Sequence, residues 1–126
     1  MRNYLMLLTL LASMSIVGCK QATPTNESEA ANYYLTAPEF AEKLKEMPNV
    51  QLIDVRTPME YDGGHIQNAV NINIDGANFQ AEVSKLDKSK PVMVYCLSGA
   101  RSAAAARQMR AEGFSQVYDM AGGIDR

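Results

Sequence analysis

Between Tyr33 and Met120 the chain alternates between short apolar runs and longer stretches with helical spacing. The apolar runs have the length of short β-strands, and they cover residues 33–35, 50–55, 69–74, 91–95 and 117–120. Because helical stretches separate these runs, the pattern predicts a parallel sheet with helices on both faces, an α/β domain. In such a sheet ligands bind beyond the carboxyl ends of the strands, so residues that follow a strand are the first candidates for a functional site.

The helical stretches have recognisable beginnings and ends. Thr36 and Glu39 form a capping box, and the helix that follows places Phe40, Leu44 and Met47 on one face. The remaining helical stretches are a turn opened by residues 57–60 and closed by the glycines at 63 and 64, a short helix marked by Phe79, Val83 and Leu86, and a helix over 102–112 that stops at Gly113.

The N-terminal segment differs from the rest of the chain. Arg2 precedes an apolar run over residues 5–17, which is shorter than the roughly 20 residues that a membrane-spanning helix needs. The segment then reads Gly18-Cys19, and this ending resembles the bacterial lipobox. We therefore expect residues 1–18 to be a lipoprotein signal peptide and Cys19 to carry a lipid that anchors the protein outside the cytoplasm, in the cell envelope. The alternatives are an ordinary secretory peptide and a buried first helix.

Residues 19–32 join this segment to the domain. They contain no large apolar side chain, so they have too little to bury to offset the entropy lost on ordering. We expect a flexible tether that carries the lipidated Cys19, followed by one folded domain over 33–126.

Composition excludes several classes of protein. The chain has 126 residues, enough for one domain, and its 12 basic and 14 acidic residues give a net charge of −2 without a long run of either sign. Such a surface disfavours nucleic-acid binding. Two cysteines and one histidine cannot form a four-ligand structural zinc site or a disulfide-rich scaffold. We expect no metal, no cofactor and no nucleic-acid partner.

Cys96 is the residue with the clearest chemical potential. It directly follows the most apolar predicted strand, and a turn that contains Gly99 leads from it into a helix. Backbone amides of such a turn and of the first helical turn point at the sulfur, and these surroundings lower a cysteine pKa from about 8.5 into the range of about 3.5–7.5. Cys96 is thus a candidate reactive thiolate, and a buried small hydrophobic residue is the alternative.

The segment from Cys96 to Arg101, with four residues between the two, resembles the active-site loop of the rhodanese family. Other stretches match the family in the same order, and these are 52–56 with 60–61, then 64–66, then 122–124. The resemblance implies a single-domain rhodanese-like fold with a five-stranded parallel sheet and helices on both faces. It also implies that the strand ending at Asp54 lies beside the strand ending at Cys96.

The same resemblance implies a sulfurtransferase. Cys96 would accept a sulfane sulfur as a persulfide, and Arg101 would be the cation of the loop, both as catalytic residues. The loop would bind the persulfide and the donor through its substrate-binding residues Leu97, Ser98, Gly99, Ala100, Arg101 and Ser102. Asp54 and Arg56 would support the site, and we expect Arg56 to pair with Glu60 and to lock the adjacent turn.

The implied donor is thiosulfate or a persulfide or polysulfide, a small anionic sulfur compound. If Cys19 is lipidated, Cys96 is the one thiol left in the mature chain as given, so its persulfide has no internal cysteine to attack it. The sulfur must then pass to cyanide, a small thiol or a thioredoxin-like partner. We expect a monomer attached to the membrane through its N-terminal lipid.

The chain departs from the family pattern at several positions. Leu97 is neutral where some thiosulfate-using members carry arginine, which leaves the preferred donor open, and Gln67-Asn68 stands where Pro-Gly is usual. His65 lies in the Gly-His-Ile segment of the family, where a structural role is expected. Relatives continue into a final helix beyond the position of Arg126, so we expect this chain to be a fragment that lacks the C-terminal helix.

Two other functions remain open on the sequence alone. A phosphatase on the same fold needs five residues between cysteine and arginine, and the four residues found here suit a sulfur atom better than a phosphoryl group. A non-enzymatic, membrane-anchored sulfur carrier or redox sensor would use the same Cys96 and Arg101. A turnover assay separates that carrier from an enzyme.

Overall fold

A computed structural model describes Gly18 and residues 33–125. The expected signal peptide, the lipid attachment site Cys19 and the tether lie outside the described residues, apart from Gly18. Within the described part, none of the helices combines the length and apolar character that crossing a membrane requires.

The described residues form strands and helices that alternate along the chain. The strands are β1 (Tyr34–Leu35), β2 (Gln51–Asp54), β3 (Val70–Asn71), β4 (Val92–Tyr95) and β5 (Val117–Met120), and the helices are α1 (Ala37–Glu46), α2 (Pro58–Asp62), α3 (Phe79–Ser84) and α4 (Ala100–Ala111). All strand pairs are parallel, in the order β1-β5-β4-β2-β3. The predicted α/β fold, a five-stranded parallel sheet with helices on both faces, is therefore confirmed.

The third strand is shorter than the apolar run over 69–74 predicts. Regular pairing stops at Asn71, whose side-chain amide donates to the backbone carbonyls of Asp54 and Arg56 at 3.0 and 2.8 Å. The backbone nevertheless stays beside β2, since the Ile72 amide donates to the Asp54 carbonyl at 2.9 Å. A side chain thus replaces part of the ladder at this edge of the sheet.

The last helix begins at Ala100, two residues before the predicted 102–112. Gly99 precedes it with φ 100°, and the Ala103 amide already donates to the Gly99 carbonyl at 3.1 Å. Because glycine adopts this left-handed conformation freely, the chain turns from strand to helix within four residues of Cys96. The segment over residues 96–101, called the cysteine loop from here on, therefore runs directly into the first turn of α4.

The sheet separates two buried clusters. One lies under α3 and α4 and includes Cys96, Val94 and Met109. The other lies under α1 and includes Phe40 and Tyr95, whose rings meet edge to face at 6.4 Å. Cys96 thus belongs to the hydrophobic core on its α4 side.

Strands β2 and β4 are neighbours in the middle of the sheet. Asp54 pairs in register with Tyr95, and the Val55 amide donates to the Tyr95 carbonyl at 3.1 Å. The implied proximity of the strand ending at Asp54 to the strand ending at Cys96 is confirmed. Both strands deliver their following loops to the same edge of the sheet.

Candidate active site

The Cys96 sulfur is enclosed by its own loop. Its side chain is fully buried, the Gly99 amide donates to Sγ at 3.0 Å, and the Ser102 hydroxyl lies 3.5 Å from Sγ. Burial raises the pKa of the thiol, but hydrogen bonds from Ser102 and from the amides of Gly99 and Ser98 outweigh burial. The net pKa lies below the ordinary value of a cysteine, so the loop stabilises the thiolate.

The other residues of the loop take different places. Leu97 is half-buried, whereas Ser98 and Ala100 are exposed. The Leu97 carbonyl accepts a hydrogen bond from the Asp125 amide at 3.0 Å, and the Cys96 carbonyl accepts one from the Ile124 amide at 3.1 Å. The backbone near the C-terminus therefore holds the loop from behind.

Two glycines allow this close approach. Gly99 is buried at φ 100°, and a side chain there would lie 2.9 Å from the Gly122 amide nitrogen. Gly123 has φ 65°, and a Cβ on it would overlap the Leu97 carbonyl. Residues 122–124 match the family in sequence, but the sequence predicts no role for them. In the structure this segment is the backing of the cysteine loop.

Arg101 is held by Glu60. Its guanidinium makes two hydrogen bonds to the carboxylate, from Nη1 to Oε2 at 2.7 Å and from Nη2 to Oε1 at 2.8 Å. The same carboxylate accepts the Thr57 amide at 3.0 Å within the capping box of α2. The hydrogen bonds from Arg101 and Thr57 hold the pKa of Glu60 well below its usual range, and the bond to Glu60 raises the pKa of Arg101. The sequence predicted Arg56 as the partner of Glu60 and did not predict that Glu60 holds Arg101.

The expected pairing of Arg56 with Glu60 is wrong. Arg56 instead binds the Asp54 carboxylate through Nε at 3.0 Å and Nη2 at 2.7 Å, and both side chains are buried. The reason is local, because the chain bends after β2 and the Arg56 backbone amide also donates to Asp54 Oδ1 at 3.0 Å, which places the two side chains together. Glu60 is left to Arg101, which reaches it from the neighbouring loop.

The Asp54–Arg56 pair supports the site at a distance from the sulfur. Arg56 Nη2 also donates to the Gly64 carbonyl at 2.7 Å, and its guanidinium lies 5.8 Å from the centre of the Tyr95 ring. The bond to Gly64 ties the backbone before α2, the helix that carries Glu60, to the backbone after it. Asp54 and Arg56 thus orient the partner of Arg101.

His65 makes contacts within its own turn. Its ring stacks on the Tyr61 ring with 3.6 Å between centroids, and Nδ1 lies 2.8 Å from the Tyr61 carbonyl oxygen. In the part of the chain that the structure describes, no group of three or more histidine, cysteine, aspartate or glutamate residues is arranged to hold a metal ion.

Comparison with known proteins places this site in a family. The chain matches the Rhodanese-like domain family over residues 36–126. It belongs to this family. The rhodanese-like domain therefore accounts for the whole described sheet apart from the first strand.

Relatives of this rhodanese-like chain carry different names. It is 39% identical over 95 residues to the tRNA uridine(34) hydroxylase of Aster yellows witches'-broom phytoplasma (strain AYWB), which covers 72% of the chain but 30% of that protein's length. It is 35% identical over 83 residues to the thiosulfate sulfurtransferase GlpE of Coxiella burnetii, covering 66% of the chain and 76% of that protein. The crystal structure of a rhodanese-like domain protein from Staphylococcus aureus superposes with a TM-score of 0.64 at 31% identity, over 71% of this chain and 85% of that one.

Proposed function

We propose that the protein is a sulfurtransferase that moves a sulfane sulfur from a small donor through a persulfide on Cys96 to a thiophilic acceptor. One observation carries the proposal, namely a cysteine at the carboxyl end of β4 whose sulfur accepts the Gly99 amide at 3.0 Å and whose pKa is lowered. A low pKa supplies the thiolate, which is the nucleophilic form of cysteine. The similarity to a thiosulfate sulfurtransferase supports the same function.

The proposed reaction has two half-reactions. The Cys96 thiolate attacks the outer sulfur of thiosulfate, a new S–S bond forms, and sulfite leaves with the electron pair of the broken donor bond. The acceptor, cyanide or a thiolate, then attacks the outer sulfur of the persulfide, and Cys96 leaves as the thiolate. No net proton or electron is gained, and the covalent intermediate predicts ping-pong kinetics.

The charge at the site bears on the donor. Glu60 neutralises Arg101, so the loop offers the thiosulfate dianion less positive charge than the sequence of the loop implies. An organic persulfide carries at most one negative charge and offers an outer sulfur of the same kind. We therefore propose these sulfane donors beside thiosulfate, with cyanide, small thiols or a thioredoxin-like protein as acceptors.

We also propose that Cys19 is lipidated and tethers the domain outside the cytoplasm. The support is the short apolar run that ends at Cys19. The name of the phytoplasma relative belongs to a protein of which this chain spans about 30%, and it carries no proposal for this chain.

The experiment that tests the function uses the two cysteines as a matched pair. Full-length protein is incubated with thiosulfate and cyanide, thiocyanate is followed, and the Cys96 peptide is examined by mass spectrometry after donor alone. We expect one added sulfur on Cys96 that cyanide removes, loss of turnover in Cys96→Ser, and turnover in Cys19→Ser. A wild-type protein that never gains this sulfur would overturn the proposal. Sulfur uptake without turnover would instead assign the carrier function.

A further inference from the structure

Asp119 is a buried acid that the proposed reaction does not use. It lies in β5 with 2% of its surface exposed, and its Oδ1 has no hydrogen-bond partner within residues 33–125. Burying a carboxylate oxygen without a partner costs free energy, because the water that it loses is not replaced. A polar atom kept at this cost calls for a physical reason.

Asp119 shares a sheet face with the reactive cysteine. It pairs in register with Val94 of β4, and Cys96 follows two residues after Val94. Side chains two residues apart along an extended chain point to the same face. Val94, Cys96 and Val117 all belong to the buried cluster under α4, so Asp119, two residues after Val117, faces α4 diagonally across from Cys96.

The Ser102 hydroxyl lies beside the Cys96 sulfur, on the helix that covers this face of the sheet. It is fully buried in the first turn of α4, 3.5 Å from Cys96 Sγ, and it donates to the Gly99 carbonyl at 3.2 Å. Burial raises the pKa of Asp119, and the nearby Ser102 hydroxyl partly opposes that rise. One hydroxyl proton therefore has competing acceptors in the Gly99 carbonyl, the Cys96 sulfur and the Asp119 carboxylate.

The surroundings of Asp119 in the described part of the chain hold few other charges. Arg107 and Arg110 approach from α4 and lower its pKa through their positive charges. Val94 on β4 is apolar, and Tyr34 is the register partner of Asp119 on β1.

We propose that Asp119 is a positioning residue that sets, through the Ser102 hydroxyl, how readily Cys96 forms its thiolate. This role rests on the proposed function only in naming Cys96 as the reactive sulfur. An ionised Asp119 accepts a hydrogen bond from the Ser102 hydroxyl, so that hydroxyl no longer donates to Sγ. A protonated Asp119 donates to Ser102, and Ser102 then donates to Sγ. Ionised Asp119 therefore disfavours the thiolate, both by its charge and by orienting the hydroxyl away from the sulfur.

The test is a pH titration of the Cys96 thiolate by its ultraviolet absorbance in the full-length protein. Each variant is measured against its own Cys96→Ser counterpart, which subtracts the tyrosines and the other thiol. We expect Asp119→Asn to lower the pKa of Cys96 by about one unit, the size of shift that a single nearby charge produces. Ser102→Ala is expected to raise the pKa of Cys96, because Sγ loses a donor.

The double variant decides the route. In the Ser102→Ala background, Asp119→Asn is expected to shift the Cys96 titration by less than half as much as in wild type. An unchanged titration in Asp119→Asn, or an undiminished shift without Ser102, would overturn the proposal.

The matched control is Asp62→Asn, which removes an exposed carboxylate of α2 and should leave the titration unchanged. Thermal unfolding checks the fold of each variant, and Asp119→Ser replaces Asp119→Asn if the latter does not fold. The titration requires no sulfur transfer, so its outcome is independent of whether the protein proves to be a sulfurtransferase.

Discussion

Glu60 and Arg101 are 41 residues apart in sequence and are joined by two hydrogen bonds of 2.7 and 2.8 Å. Glu60 belongs to the helix after β2, and Arg101 belongs to the first turn of α4, the helix after β4. The pair therefore fastens the ends of the two central strands to each other. It also gives the cysteine loop a guanidinium whose charge is already balanced.

Releasing Arg101 should improve the use of an anionic donor. In Glu60→Gln the guanidinium faces a neutral amide, and we expect kcat/KM for thiosulfate to rise about tenfold, equivalent to about 1.4 kcal/mol. A less charged persulfide donor should change less. Steady-state kinetics with both donors measures this, and Glu46→Gln on α1 is the control for removing one carboxylate. A thiosulfate kcat/KM at or below the wild-type value would contradict the expectation.

Removing the guanidinium should have the opposite effect. Arg101→Ala leaves the Glu60 carboxylate unpaired beside the loop, so we expect thiosulfate turnover to fall at least about tenfold while the fold persists. Arg101→Lys keeps the charge but loses the paired geometry, and it should lie between the two. Kinetics over a range of thiosulfate concentrations, together with circular dichroism, checks this. Equal kinetics in all three proteins would make Arg101 a surface residue.

The glycine behind the loop should tolerate no side chain. Gly123→Ala places a Cβ on the Leu97 carbonyl, so we expect loss of stability and of sulfur transfer together. Gly113→Ala is the matched control, because Gly113 also has a positive φ, 99°, but open space around it. The control should lose about 1–2 kcal/mol from backbone strain and retain turnover. Urea unfolding and turnover of both variants measure the difference, and equal behaviour would refute the overlap.

The buried ion pair should matter for stability. Asp54→Ala leaves the Arg56 guanidinium buried without its partner, which costs about 3–5 kcal/mol of unfolding free energy. Glu42→Ala breaks an exposed pair with Lys45 on α1 and should change stability little. Urea unfolding of both variants is the measurement. A loss in Asp54→Ala no larger than in Glu42→Ala would show that water reaches Arg56.

Processing of the N-terminus tests the proposed lipid anchor. We expect Cys19→Ala to accumulate as unprocessed precursor, because the lipidated residue is then missing. Electrophoretic mobility and membrane fractionation of the expressed full chain measure this, with Cys96→Ala as the matched control that matures normally. Normal maturation and membrane attachment of Cys19→Ala would remove the proposal.

Local sequence was enough to predict most of the fold. Apolar runs, helical spacing and one capping box located the strands and helices, and the position of Cys96 after the most apolar run placed it at the sheet edge. Local sequence could not predict the partner of Glu60, because this contact joins residues that are distant in sequence. The choice between Arg56 and Arg101 depends on which guanidinium the folded sheet brings near, and sequence spacing favoured the nearer one. The early end of β3 likewise coincides with a long-range contact, in which the Asn71 side-chain amide donates to the Asp54 and Arg56 carbonyls.

The Cys96 side chain is completely buried, and we expect this burial to select substrates by shape. A terminal sulfur, as in thiosulfate or a persulfide, is a single unsubstituted atom and can enter the loop. In an ordinary disulfide each sulfur is bonded to a carbon as well as to the other sulfur, so neither sulfur is a terminal atom. We therefore expect Cys96 to take no part in thiol–disulfide exchange with surrounding disulfides, even though its thiolate is the form that such exchange requires.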